Sequence, residues 1–171
     1  MKPQITEPIS LKLLGCVFYG DPFQNHEEGS IKNEIGRLWE RFGRVCSSHI
    51  QELERIIVEK GVAWEAHIQT EEYTKSKDYT IFVGMEVSEA SVKPIDFFYK
   101  ELPTTKYAVF KLKGNDFING LGYVYNQWLP NSKYKESNGY MLWRYDEKNK
   151  DLNNPDCILE AHIPVEEKNV D

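Results

Sequence analysis

Glu7-Pro8-Ile9-Ser10-Leu11-Lys12-Leu13-Leu14-Gly15-Cys16-Val17-Phe18-Tyr19-Gly20-Asp21 is echoed later in the chain by Glu101-Leu102-Pro103-Thr104-Thr105-Lys106-Tyr107-Ala108-Val109-Phe110-Lys111-Leu112-Lys113-Gly114-Asn115-Asp116. Each stretch is followed by a helical pattern and two strand-like runs. Self-similarity on that scale sets topology before any single element is placed. The reading is an α+β fold of duplicated β-α-β-β units with pseudo-twofold symmetry. It has an antiparallel sheet, helices on one side, and a ligand cleft between the halves. The halves cover about 1–92 and 93–171 of one domain spanning 1–171.

In the first half, Leu11 to Tyr19 reads as a strand closed by the turn Gly20-Asp21-Pro22. Ser30 is the expected N-cap of a helix whose stripe is Ile31, Ile35, Leu38, Trp39 and Phe42. A shorter helix starts near Ser48, with Gln51 as its capping-box partner. Val62 to Gln69 alternates, Trp64, Ala66 and Ile68 on one face and Glu65 and His67 on the other, as a half-buried strand does. Tyr79 to Val87 is the next strand, and Pro94 to Pro103 joins the halves. The second half repeats the order: strand Lys106 to Lys113, then a helix with the stripe Ile118, Leu121, Tyr125, Trp128 and Leu129. Strands Gly139 to Tyr145 and Cys157 to Val165 follow, and a charged tail from Glu166 is expected to fray. Gly120 and Gly122 each cost about 1 kcal/mol inside a helix, so either something approaches that backbone closely or the helix is irregular.

The chain has 171 residues, 40% of them hydrophobic and 28% charged, the balance of a globular domain. No apolar run approaches the ~20 residues of a membrane span. With no apolar signal region in Met1-Lys2-Pro3-Gln4-Ile5, a cytoplasmic location is expected. Net charge is −6, and the basic side chains form no stripe, which argues against direct nucleic-acid binding. Cys16, Cys46 and Cys157 are odd in number and widely spaced, with no CxxC pair, as reduced packed thiols are.

Along the last strand, Leu159, Ala161, Ile163 and Val165 point one way, toward the helices, and Ile158, Glu160 and His162 the other. Glu160 is either a surface carboxylate or, beside the Met141, Trp143 and Tyr145 of the neighbouring strand, a receptor for a flat cation. Burial among those rings would raise its pKa, so that a cation binds better as pH rises. Glu160 and His162 lack a third metal ligand, since His26, His49 and His67 are scattered, and no metal or other cofactor is implied. No GxSxG, phosphate loop or HExxH is present.

Tyr79-Thr80-Ile81-Phe82-Val83-Gly84-Met85-Glu86-Val87, Leu102-Pro103 through Phe110, Trp128-Leu129-Pro130-Asn131-Ser132-Lys133-Tyr134 and Glu160-Ala161-His162-Ile163-Pro164-Val165 together carry a resemblance. In that order they resemble the GyrI-like small-molecule-binding domains, the effector-binding part of bacterial AraC-type and MerR-type multidrug-responsive regulators. The resemblance implies the duplicated β-α-β-β fold with an aromatic, acidic pocket between the halves. One family acid lies in an aromatic-Glu-x-Tyr motif on the next-to-last strand. Here that motif reads Leu142-Trp143-Arg144-Tyr145, with Trp143 in the Glu position. The second acid is kept as Glu160, with His162 where a Tyr is common.

No DNA-binding module accompanies the resemblance, so a stand-alone member is implied, with any transcriptional role needing a partner. The leading expectation is a binder of an aromatic or cationic small molecule, linked to regulation or to toxin or drug resistance. Its ligand-binding residues are Glu160, His162, Trp143, Tyr145, Trp128, Tyr107 and Met141. The alternatives are a cofactor-independent hydrolase of strained electrophilic natural products using Glu160, Trp128 and Tyr134, or a protein-binding inhibitor of the gyrase-inhibitor type. A protein partner or homodimer stays open.

Overall fold

The computed structural model describes residues 1–24, 33–91, 94–147, 154 and 156–168. The strands are β1 (Gln4–Ile5), β2 (Lys12–Gly20), β3 (Val62–Ile68), β4 (Tyr79–Glu86), β5 (Phe98–Glu101), β6 (Lys106–Lys113), β7 (Tyr134–Glu136), β8 (Tyr140–Asp146) and β9 (Ile158–Glu167). They form one antiparallel sheet in the order β1-β6-β9-β8-β3-β4-β2-β5, with β7 also pairing β9. Within it β2, β3 and β4 are arranged as β6, β8 and β9 are, the duplicated connectivity expected from the sequence. The seam between the two units is the β3–β8 ladder, with Glu65 opposite Trp143.

Helix α1 (Glu34–Ser48) starts at Asn33, whose side chain accepts from the Gly36 N–H. That is an Asx N-cap satisfying one of the orphan donors of the first turn; the expected cap Ser30 and Ile31 lie outside the described residues. The helix runs past Phe42 because Val45 and Cys46 continue its apolar stripe at i+3 and i+4 and pack on the same core. The predicted Ser48 start is therefore displaced: α2 (Ile50–Leu53) follows His49 without a side-chain cap. A single turn, α3 (Tyr73–Ser76), interrupts the loop before β4.

In the second unit a 3₁₀ turn (Gly114–Asp116) leads into α4 (Phe117–Tyr123), a π turn (Val124–Trp128) and α5 (Leu129–Asn131). Both readings of the glycines hold. A Cβ on Gly120 would come within 2.9 Å of the Leu112 side chain, and the helix is irregular just beyond. Ile118 is not in the buried stripe; it is 72% exposed, and Phe117 takes its place against the core. The C-terminal segment is pinned through Lys168, whose Nζ donates to the carbonyls of Leu129, Pro130 and Ser132 at 2.8–3.3 Å. A lysine on the last carbonyls of a helix satisfies acceptors that have no intrahelical partner, which holds the chain from Glu166 to Lys168, where fraying was expected; residues 169–171 lie outside the described ones.

Two cores lie on the helix face. One gathers Leu14, Cys16, Ile81, Val83 and Met85 under Leu38 and Phe42 of α1. The other gathers Phe110, Leu112, Trp143, Leu159 and Ile163 under Leu121, Tyr125 and Trp128. A third occupies the reverse face, where Leu13 of β2 and Tyr107 of β6 join Trp64, Ala66, Phe82, Tyr140 and Leu142. Strands so far apart in the order share a core because the sheet curls, and an isolated bridge, Ile9 to Thr105, links their approaches. No helix among the described residues is long and apolar enough to cross a membrane.

Candidate functional site

Directly opposed residues of an antiparallel pair share a face. The β3–β8 register therefore places Ala63, Glu65 and His67 beside Tyr145, Trp143 and Met141 in one patch on the helix side of the seam. Helix α1 lies at one end of this patch, and α4 with its π turn at the other. Trp39 of α1 reaches down to it.

Glu65 is the centre of the patch and only 4% exposed. Trp39 Nε1 donates to its Oε2 at 2.5 Å, and His67 Nε2 lies 2.6 Å from its Oε1. The Tyr145 hydroxyl bonds the same carboxylate; burial first, and then the Glu65 charge, push that phenol well above its ordinary pKa. Trp39 and Tyr145 meet edge to face at 4.8 Å. Among the described residues, no Lys or Arg forms an ion pair with Glu65. Two neutral donors and one imidazole satisfy its lone pairs but supply no permanent counter-charge, which a buried carboxylate needs.

A cavity flanks Glu65 on each side along the seam. The first, about 290 Å³, is walled by Trp39, Phe42, Cys46, Ile57, Met85 and Tyr145, with Glu59, Asp146 and Glu147 also lining it. Burial pushes the Cys46 thiol up to about 12, so this residue is apolar wall rather than nucleophile. The second, about 470 Å³, is lined by His67, Gln69, Leu121, Tyr125, Glu136, Gly139, Tyr140 and Met141. Trp39 and Tyr145 belong to the first cavity and His67 to the second, and all three are bonded to Glu65.

Glu160 is on the other side of the sheet. Arg144 pairs with Glu160, Leu142 with His162, and Trp143 with Ala161, so Trp143, Tyr145 and Met141 face the helices while Glu160 and His162 face away. The ring box around Glu160 is not assembled, because the two strands meet one residue out of the assumed phase and a one-residue slip exchanges faces. Glu160 instead has Arg144 and Lys111 each 3.7 Å away and His162 at 3.4 Å. The His162 hydrogen bond, with the charges of His162, Arg144 and Lys111, holds its pKa below the ordinary value against the effect of burial. The expected upward shift is thus reversed.

The remaining predicted residues separate in the same way. Tyr107 is fully buried on the reverse face, its hydroxyl 2.7 Å from that of Tyr140. His162 lies between the Trp64 and Tyr107 rings, at 5.0 and 6.0 Å. Trp128 is on the helix side but packs on Phe110 and stacks with Tyr134 at 6.1 Å. The hydrolytic trio of Trp128, Tyr134 and Glu160 is therefore split, two rings on one face and the carboxylate on the other.

Glu65, Trp39 and His67 were missed as site residues, yet β3 carried a signal. Trp64-Glu65-Ala66-His67 reads aromatic-Glu-x-aromatic, the pattern sought on β8, and Glu65-Ala66-His67-Ile68 repeats Glu160-Ala161-His162-Ile163 letter for letter. A carboxylate, Glu65, stands directly across the seam from Trp143.

A family model described as Cass2, integron-associated effector binding protein, matches residues 4–165. No curated protein matches the chain in sequence. Among solved structures, SAV2435 bound to tetraphenylphosphonium is similar at a TM-score of 0.64 and 15% identity, over 97% of this chain and 94% of that one. The integron cassette protein VCH_CASS2 from the mobile metagenome of Vibrio cholerae is similar at 0.57 and 16%, over 97% of each. The C-terminal domain of EcmrR is similar at 0.60 and 15%, over 98% of this chain and all of that domain. At these identities the likeness to solved structures is one of fold.

Proposed function

This chain belongs to the Cass2 family of integron-associated effector-binding proteins, and on that footing we propose that it takes an aromatic or lipophilic cation into the cavity beside Trp39 and Tyr145, next to the buried Glu65. The observation that carries the reading is a carboxylate 4% exposed, held by Trp39, Tyr145 and His67, with no Lys or Arg partner among the described residues. A delocalised cation entering the cavity beside Trp39 and Tyr145 gains charge pairing and ring attraction together, and loses less hydration than a compact ion. The apolar walls from Phe42, Ile57 and Met85 suit its organic body. That tetraphenylphosphonium is the ligand of SAV2435 makes this cation the natural first probe.

The test is a tryptophan-fluorescence titration with tetraphenylphosphonium and with the smaller benzyltrimethylammonium, on wild type, Glu65→Gln and Glu160→Gln. Saturable quenching that weakens at least tenfold in Glu65→Gln, about 1.4 kcal/mol, and stays within twofold in Glu160→Gln is the expected result. Equal affinity in wild type and Glu65→Gln, or loss confined to Glu160→Gln, overturns the assignment.

A further inference from the structure

The larger cavity differs in chemistry from the one beside Trp39, and effector recognition at Glu65 does not explain it. Glu136 of β7 is on the helix face, opposite Val165 of β9, and its side chain lines the cavity. The Tyr125 hydroxyl bonds it, and Tyr125 is part of the π turn, a widened turn that re-aims helical side chains and recurs at functional sites. Glu136 is exposed at the rim of the cavity; partial desolvation of its carboxyl raises its pKa, and the Tyr125 bond offsets this in part. Gln69 lines the same wall, and among the described residues no Lys or Arg lines the cavity.

The wall is also shaped. The Gln69 N–H donates to the Gly139 carbonyl at 2.8 Å, and a Cβ on Gly139 would lie 2.8 Å from the Gln69 carbonyl oxygen, so only glycine lets the two backbones close. Leu121 and Met141 supply the apolar portion of the lining. A volume of about 470 Å³ is within the usual range for small-molecule sites.

We propose that this cavity is a second ligand site, selective for primary or secondary ammonium groups carried on an apolar body, with Glu136 and the Gln69 amide as acceptors and Leu121 and Met141 around the body. A hydrogen-bonding ammonium gains charge-assisted bonds that a quaternary cation cannot make. The seam gives the spacing between the two sites: Ala63 and His67 stand four residues apart on β3, about 13 Å. Occupation of this site does not require occupation of the groove beside Trp39.

The experiment uses methyl and imidazole NMR shifts of Met141 and His67 during titration with hexylammonium and, separately, tetramethylammonium. Wild type is expected to show saturable shifts with hexylammonium and none with tetramethylammonium. Glu136→Gln is expected to weaken hexylammonium at least tenfold while leaving tetraphenylphosphonium quenching unchanged. Tyr125→Phe, which removes only the hydroxyl holding Glu136, is expected to give a smaller loss of the same kind. Equal responses to the two cations, no saturable shift, or an undiminished response in Glu136→Gln overturns the second site without touching the Glu65 reading. Failure of tetraphenylphosphonium to bind at all removes that reading and leaves this one standing on its own titration.

Discussion

The same four letters, Glu-Ala-His-Ile, occur on β3 and β9, and the sheet turns them to opposite faces. On β3, Glu65 is 4% exposed and bonded by Trp39, Tyr145 and His67. On β9, Glu160 has a side chain 22% exposed and shares its charge with Arg144, Lys111 and His162. Among the described residues, one carboxylate lacks a permanent counter-ion while the other has two. The tetrapeptide does not decide this; the neighbouring strand and the layer above it do. Glu65 faces α1 and its Trp39, whereas Glu160 faces the reverse side, where β8 presents Arg144 and β6 presents Lys111.

The largest way to break the comparison is to delete each carboxylate. Glu65→Ala strands a half-buried indole N–H, a half-buried phenol and an imidazole, and urea denaturation is expected to show a loss of about 3 kcal/mol. Glu160→Ala removes two 3.7 Å ion pairs and the long His162 bond at the edge of solvent, with an expected loss of about 1 kcal/mol. Equal losses would mean that the two sites differ in position but not in kind.

An acid titration sharpens the same contrast. Glu160 has a folded pKa below its ordinary value, so its stabilising contribution is fully present above the unfolded pKa of about 4.3. It is lost as pH falls through the lower folded value. Wild type should therefore lose stability relative to Glu160→Gln on acidification below about pH 4.3, and the two should run parallel between pH 5 and 7. A difference that widens above pH 5 would contradict the sign. The smallest expected effect belongs to Lys111→Ala. Lys111 is the more exposed of the two cations beside Glu160 (69% against 19% for Arg144). Its removal should change stability by under about 0.5 kcal/mol and raise the Glu160 pKa, followed by carboxyl NMR, less than Arg144→Ala does.

The repeated strand-helix-strand-strand order, the alternation along β9 and the helix-facing set Leu159, Ala161, Ile163 and Val165 were all legible, because each follows from local periodicity. The cross-strand phase was not. Met141, Trp143 and Tyr145 were correctly placed on one face of β8, but nothing local says whether that face meets Ala161 or Glu160. Glu65 was legible only as the polar half of a half-buried strand, since Trp64 and Ala66 took the place of the core in the pattern. Both faces of β3 are covered, and a strand buried on both sides hides its acid among its polar positions. Strand β7 was read as loop because it is three residues long and held by β9 from outside its own sequence. The helix end at Ser48 was missed because the apolar stripe was followed only to Phe42, whereas Val45 and Cys46 extend it onto the same core.

Glu65 and Trp143 stand opposite one another at the junction of two copies of one unit. A duplicated unit meeting its twin across a ladder gives any side chain at that rung two interchangeable addresses, about 5 Å apart between Cβ atoms. Moving the acid from one address to the other relocates the charge by less than the width of a ligand ring and leaves every strand in place. Which copy holds the carboxylate and which the indole is then a choice open at this rung. The fold can carry that exchange without being rebuilt.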